Sequence, residues 1–309
     1  MNNLVFLRRG SNKKLNLFLI HAGNGEVQPY VLFTSLLSKE FNCWGLRANR
    51  FDDYTPVNRS INSMAKNYLK QIRSVQLSGP YYLAGWCFGG VRAYEITSQL
   101  EQSGEKVNFL ALFNPTPPIL KNMERKKMVT EYSLLNPNPY NISKRVKFTF
   151  NSEKLLILKW LNVVSVKKFS LNNFDNKKKL WMSFAKEFDK VEFQNKFIKE
   201  IKKYIPKDRG EAIPYFESIT FRNLIYYLNV MRTDANAQAF YFPKSRLQTK
   251  ITFFEAKETL VKRKNDWNLF TLKPVLFNKI NGDHFSIFDE GNVQSFANKF
   301  NKFLIKSIK

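Results

Sequence analysis

Cysteine and histidine are nearly missing from this 309-residue chain, each occurring twice. The thiols of Cys43 and Cys87 cannot build a disulfide framework, which excludes stapled secreted scaffolds and points to a reducing, cytoplasmic setting. Two histidines leave no Cys/His metal finger, and helix-turn-helix spacing and an RNP-like aromatic strand are lacking as well, so no nucleic-acid module is present. Long apolar runs are also wanting. The longest early one, Leu17 to Ala22, is too short for a signal-peptide core or a membrane span, and Arg8, Arg9, Lys13 and Lys14 interrupt what precedes it. Acid is scarce beside base, 25 Asp+Glu against 50 Lys+Arg, giving a formal net charge of +25. There is no internal repeat.

What is present suffices for a packed core: 44% of the residues are hydrophobic and 15% aromatic, too apolar for a disordered basic chain. The charge excess has two remaining readings. It can attract an acidic protein partner, since a basic face speeds encounter with an anionic one, or it can be Lys- and Asn-rich composition spread over solvated faces.

Residues 1–118 alternate short apolar strands with helical patterns, the signal of a mostly parallel α/β sheet. Leu4 to Leu7, Leu15 to His21, Asn42 to Leu46, Tyr81 to Trp86 and Val107 to Phe113 read as strands. Ser60 caps a helix whose apolar positions Ile61, Met64, Tyr68, Ile72 and Val75 recur at spacings of three and four. A second helix follows Cys87-Phe88-Gly89-Gly90, runs through Leu100 and stops near Gly104. From about Ile119 the alternation ceases, and helical patterns take over at Glu153 to Phe169 and Lys177 to Tyr204. It resumes with strands at Lys250 to Ala256 and Pro274 to Ile280 and a closing helix at Val293 to Ile308. The expected organisation is a core of residues 1–118 and 243–309 interrupted by a helical insertion at 119–242.

Gly85-Trp86-Cys87-Phe88-Gly89 lies between a strand and a helix. Glycines two before and two after the central residue permit a sharp turn that exposes Cys87 at a helix N-terminus, whose first N–H groups favour thiolate over thiol. This is the spacing of a nucleophile elbow with Cys in place of Ser. His284, in Gly282-Asp283-His284-Phe285 just after the last strand, stands where an α/β-hydrolase keeps its base. A lone loop histidine is ordinarily a solvated residue; the elbow upstream gives this one a purpose. His21-Ala22-Gly23 follows the second strand, and such a loop supplies one backbone N–H of an oxyanion hole, here assigned to Gly23, with Phe88 donating the other. His21 itself is read as shaping the loop.

Gly79-Pro80-Tyr81-Tyr82-Leu83-Ala84-Gly85-Trp86-Cys87-Phe88-Gly89-Gly90, continued by Val91-Arg92-Ala93-Tyr94-Glu95, closely resembles the elbow of the thioesterase domains that end nonribosomal peptide and polyketide assembly lines. Leu17 to Gly23, Trp44 to Ala48 and Gly282 to Phe285 resemble that family's other landmarks, in order. The likeness covers roughly residues 3–118 and 235–306, and the insertion matches the family's variable helical lid in position. Two positions depart from the family. Cys87 replaces its usual Ser, and Asn114 stands where its acid is expected after Val107 to Phe113.

The two departures agree chemically. A Cys–His site can rest as a thiolate–imidazolium pair, so Asn114 need only hold the orientation of the ring. The expected triad is Cys87 as nucleophile, His284 as base and then acid, and Asn114 as orienter. Glu255 and Glu258, after the following strand, are alternative acids, whereas Asp283 points away from the base if its peptide is extended.

The resemblance implies a substrate held as a thioester on the phosphopantetheine arm of an acyl or peptidyl carrier protein, with no further cofactor and no metal. Release would pass through acyl-Cys87 and end in hydrolysis, cyclisation or transfer to an amine or hydroxyl. An inactive hydrolase fold serving as a binding or scaffold protein is the alternative. The Glu153 to Phe169 segment reads as a lid over an acyl channel or an inward-packing helix in preference to a membrane-surface helix. Met1 begins close to the family's domain start, so a free-standing partner of an assembly line is the simplest expectation, though an excised terminal domain would look the same.

Overall fold

The computed structural model describes residues 3–11, 15–48, 59–118, 189–204, 218–239, 241–258 and 265–308. The chain divides into two compact units, residues 1–49, 59–139 and 240–309 forming one and residues 50–58 and 140–239 the other. The helix expected over Glu153 to Phe169, and the first part of that expected over Lys177 to Tyr204, lie outside the described residues.

The first unit is built on a sheet that has, among the described residues, seven strands: β1 (Leu4–Arg8), β2 (Asn16–Ile20), β3 (Asn42–Leu46), β4 (Tyr81–Trp86), β5 (Val107–Phe113), β6 (Ile251–Ala256) and β7 (Leu276–Ile280). Their order is β1-β3-β2-β4-β5-β6-β7. β1 pairs antiparallel with β3, and every other pairing is parallel. Strands β2, β4 and β6 are buried along their whole length. Such strands carry apolar side chains on both faces, so they read as continuous apolar runs in the sequence.

Around the sheet lie α1 (Tyr30–Ser35), α2 (Ile61–Arg73), α3 (Phe88–Gln102) and α6 (Glu290–Lys306). Short 3-10 turns occupy Asn265–Phe270 and Ser286–Phe288. α2 starts as its sequence requires, the Ser60 hydroxyl accepting from the Ser63 N–H at 3.1 Å. α6 begins three residues earlier than the apolar pattern indicates. Asp289 is extended there and Glu290 opens the helix, where a negative charge suits the helix dipole. β7 begins at Leu276, two residues after Pro274, which has no N–H to give a ladder.

Strand alternation sends Phe109, Ala111 and Phe113 of β5 into one core with Phe254 of β6 and the inner faces of α1 and α6. Phe33 of α1 is its hub, with ring centroids of Phe113, Phe288, Phe296 and Phe300 between 4.7 and 5.7 Å away. Each fully buried Phe contributes about 1.5–3 kcal/mol by leaving water, so this aromatic cluster anchors the short α1 firmly. All the parallel strands end at one edge of the sheet, and His21, Cys87, Asn114 and His284 lie in the segments that leave that edge. This is the α/β-hydrolase arrangement.

The second unit contributes α4 (Val191–Tyr204) and α5 (Phe221–Ala239) to the described residues, joined by an edge-to-face contact of Phe193 and Phe221 at 6.2 Å. No helix among the described residues is long and apolar enough to cross a membrane.

Candidate active site

β4 runs straight into the elbow. Cys87 adopts φ 55° and ψ −124°, a left-handed φ that a side chain rarely takes, and caps the N-terminus of α3. Its N–H donates to the Phe113 carbonyl at 3.1 Å, and its own carbonyl accepts from Gly90 at 3.1 Å. The flanking glycines are required by close approach. A Cβ on Gly85 would lie 2.3 Å from the Gly89 oxygen, and one on Gly89 would lie 2.3 Å from the Ile20 oxygen and 2.4 Å from that of His21. The turn therefore brings the first turn of α3 directly onto the end of β2. Cys87 is half-buried, at a helix N-terminus whose dipole favours an anion.

The loop after β2 faces the same place. A Cβ on Gly23 would meet the Phe88 ring at 2.7 Å, so the glycine lies against the side chain of the other residue expected to donate. Neither the Gly23 nor the Phe88 N–H has an acceptor among the described residues. His21 points elsewhere. It is buried, with Nε2 2.6 Å from the Tyr68 hydroxyl, and Arg92 Nη1 donates to its carbonyl at 3.0 Å. Burial, and then the Arg92 charge, hold its pKa well below the ordinary histidine value, which keeps the ring neutral.

Asn114 follows β5 with φ 51°, a conformation that Asn and Asp tolerate better than other side chains, and is fully buried. Its N–H donates to the Phe254 carbonyl at 2.8 Å. Its Nδ2 lies 3.0 Å from His284 Nδ1, across 170 residues of sequence. An amide nitrogen at this place donates to an Nδ1 that carries no proton. A half-turn of the amide puts Oδ1 at the same place, where it would accept from a protonated Nδ1.

The His284 loop is braced from within. Gly282 takes φ 87°. Asp283 Oδ1 accepts from the Phe285 N–H (2.8 Å), the Ser286 N–H (2.9 Å) and the Ser286 hydroxyl (2.9 Å). The Ser286 N–H is the chief reason that the Asp283 carboxyl sits below its ordinary value, with burial opposing it and the Phe285 N–H assisting. Asp283 thus serves the backbone. Glu255 is buried on β6, and Glu258 is exposed in the turn beyond it, where its N–H donates to the Gly282 carbonyl at 3.2 Å. The ring nitrogen that an orienting residue would hold is held by Asn114.

Three further residues support this arrangement. Trp86 Nε1 donates to the His284 carbonyl at 3.0 Å with the two rings 5.8 Å apart, so the residue before Cys87 touches the loop that carries the base. Tyr30 bridges the backbones at the ends of β2 and β4. Arg92, wholly buried, ties α3 to the His21 carbonyl. Trp86 and Arg92 stand inside the stretch that resembles the family's elbow, though the sequence assigns neither a role; Tyr30 carries no such signal.

A family model describing a thioesterase domain matches residues 15–304. Among curated relatives, the chain is 36% identical over 114 residues to malpibaldin synthetase of Mortierella alpina, covering 37% of this chain and 2% of that protein. It is 35% identical over 113 residues to an atromentin synthetase of Paxillus involutus, covering 37% and 12%, and 33% identical over 121 residues to an aspulvinone E synthetase of Aspergillus terreus, covering 39% and 13%. The matched stretch is thus a small part of each relative. Solved structures similar to it include a four-domain nonribosomal peptide synthetase bound to AMP and glycine, with TM-score 0.63, 21% identity and coverage of 97% of this chain and 20% of the other. The Vlm2 thioesterase domain carrying a dodecadepsipeptide gives TM-score 0.61 and 15% identity, with 97% and 96% covered. At these identities the structural likeness speaks for the fold.

Proposed function

Because the chain belongs to the thioesterase-domain family, we propose that it releases an acyl or peptidyl chain from the phosphopantetheine thioester of a carrier protein through an acyl-Cys87 intermediate. The observation that carries this reading is the Asn114–His284 contact at 3.0 Å, at the sheet edge that also bears the Cys87 elbow. In this reading the contact orients His284 as the base and leaves Nε2 for the reacting atoms.

In the proposed reaction Cys87 Sγ, as a thiolate paired with protonated His284, attacks the thioester carbonyl. The carbonyl oxygen takes up negative charge against the Gly23 and Phe88 N–H groups. The C–S bond to the carrier arm breaks, and His284 gives its proton to the departing thiol. An acceptor then loses its proton to His284 as it attacks acyl-Cys87, and cleavage of that C–S bond restores the thiolate and the imidazolium. Water as acceptor gives hydrolysis; an amine or hydroxyl gives cyclisation or transfer. Since acyl-Cys87 is itself a thioester, it keeps the activation of the substrate, which suits a poor acceptor. Residues 119–242 would serve as the lid, and a net charge of +25 favours an acidic carrier protein as partner.

Intact-mass spectrometry after incubation with an acylated carrier protein tests the proposal. An acyl adduct is expected on the wild type and not on Cys87→Ala. No adduct on the wild type would favour a non-catalytic binding role, and an adduct that persists on Cys87→Ala would overturn the assignment of the nucleophile.

A further inference from the structure

The reaction written above makes no use of the buried hydroxyl of Tyr30. This residue opens α1 and is fully buried, and its ring packs edge to face against Phe288 at 5.3 Å. The hydroxyl donates to the Ile20 carbonyl at 2.7 Å and accepts from the Trp86 N–H at 3.1 Å. Burial, above all, pushes its pKa far up, against the influence of the Trp86 N–H, so the group stays a neutral donor.

The place of these two bonds matters. The parallel register of β2 and β4 ends at Ile20 opposite Gly85. Beyond that pair the backbones part, one toward Gly23 and the other toward Phe88. Tyr30 is the next link between them, fastening the last carbonyl of β2 to the N–H just before Cys87. Arg92 adds a second fastening one residue further along, from α3 to the His21 carbonyl.

We propose that Tyr30 is a positioning residue that sets the distance between the Gly23 and Phe88 N–H groups through its two hydrogen bonds, and thereby the fit of the oxyanion hole to the tetrahedral intermediate. This rests on the oxyanion assignment made above. The aromatic ring holds the core; the hydroxyl holds the two loops. Tyr30→Phe separates these duties, because it keeps the ring and removes both bonds.

Two rates on the same thiol provide the test. Acylation by a small acyl thioester passes through an oxyanion, whereas alkylation by iodoacetamide is a direct displacement at carbon and does not. Loss of a whole oxyanion donor slows catalysis by about a hundred- to a thousandfold, and a displaced pair should lose less. Tyr30→Phe is therefore expected to slow acylation of Cys87 by about ten- to a hundredfold and to leave alkylation within about twofold of wild type, with the apparent KM for the thioester little changed. Equal slowing of both rates would place the effect on the thiolate or on general structure and overturn the proposal, as would no change in either. Acylation of Cys87→Ala would instead refute the underlying reading of the nucleophile. Should Tyr30→Phe yield too little folded protein, 4-fluorophenylalanine at that position fills the volume without the donor and is read by the same two rates.

Discussion

Exchanging Cys87 for Ser should cripple this site, and exchanging Asn114 for Asp should then rescue it. In the proposed mechanism the wild-type proton rests on His284 opposite a thiolate, so that a neutral amide 3.0 Å from Nδ1 suffices to hold the ring. A serine has no such resting ion pair. Its proton reaches His284 only as the bond to carbon forms, and the new imidazolium then needs a negative charge behind it. Two unit charges about 4 Å apart interact by about 4 kcal/mol at an effective dielectric constant of about 20, roughly a thousandfold in rate, and replacing Asp by Asn behind a Ser–His pair costs about ten-thousandfold. Cys87→Ser/Asn114→Asp is accordingly expected to acylate about a thousand- to ten-thousandfold faster than Cys87→Ser. Asn114→Asp alone should shift the wild-type rate by less than about tenfold. The difference is a coupling of at least about two decades, or about 2.7 kcal/mol. Asp is isosteric with Asn and accepts φ 51°, so the backbone imposes no penalty. Rapid-quench acylation by a small thioester, read by intact mass alongside a thermal-unfolding control, measures all four corners of the cycle. A Cys87→Ser variant within tenfold of wild type, or one that Asn114→Asp does not accelerate, would refute the reasoning.

Two further expectations concern the frame around the site. Because His21 is held neutral with its pKa well below 6.5, the unfolded chain binds a proton that the folded one refuses as pH falls; the stability this gives is complete above 6.5 and lost below it. Urea unfolding at pH 7.5 and 5.5 should show the wild type losing up to about 1.4 kcal/mol more than His21→Gln, and equal losses would contradict the burial of a neutral ring. Gly89→Ala would set a methyl group 2.3 Å from the Ile20 oxygen, an overlap with backbone that cannot swing aside, and should cost about 3 kcal/mol or more in unfolding free energy; a variant as stable as wild type would mean that β2 and α3 do not approach so closely.

Much of the fold was legible because it is written locally. Val107 to Phe113 is an apolar run between Gly104 and Pro115, long enough for a central strand and too short for a helix, and β5 spans those same residues. α2 announced itself by periodicity and by Ser60. α1 did not, for physical reasons: six residues are fewer than two turns, Val31 and Thr34 are β-branched, and no side chain caps the start. It exists because Tyr30 and Phe33 are buried against the sheet. The site divides in the same way. Cys87 and His284 stood out by spacing and by rarity, and Asn114 by its place after β5. The contacts of Trp86 with His284, 198 residues apart, and of Tyr30 with Trp86, 56 residues apart, are made by the sheet order and leave no mark on either local sequence.

The placement of Cys43 has a practical consequence. It is wholly enclosed in β3, burial pushes its thiol pKa up against the influence of Arg8, and Arg8 Nη2 sits 3.6 Å from the sulfur. A reagent can reach it only when the sheet opens. In a protein whose other thiol has been replaced by alanine, the labelling rate of Cys43 becomes a gauge of how often the core comes apart, read without denaturant by intact mass. With two thiols in the whole chain, that variant leaves Cys43 as the one sulfur to be labelled, and its signal is read without a second site to subtract.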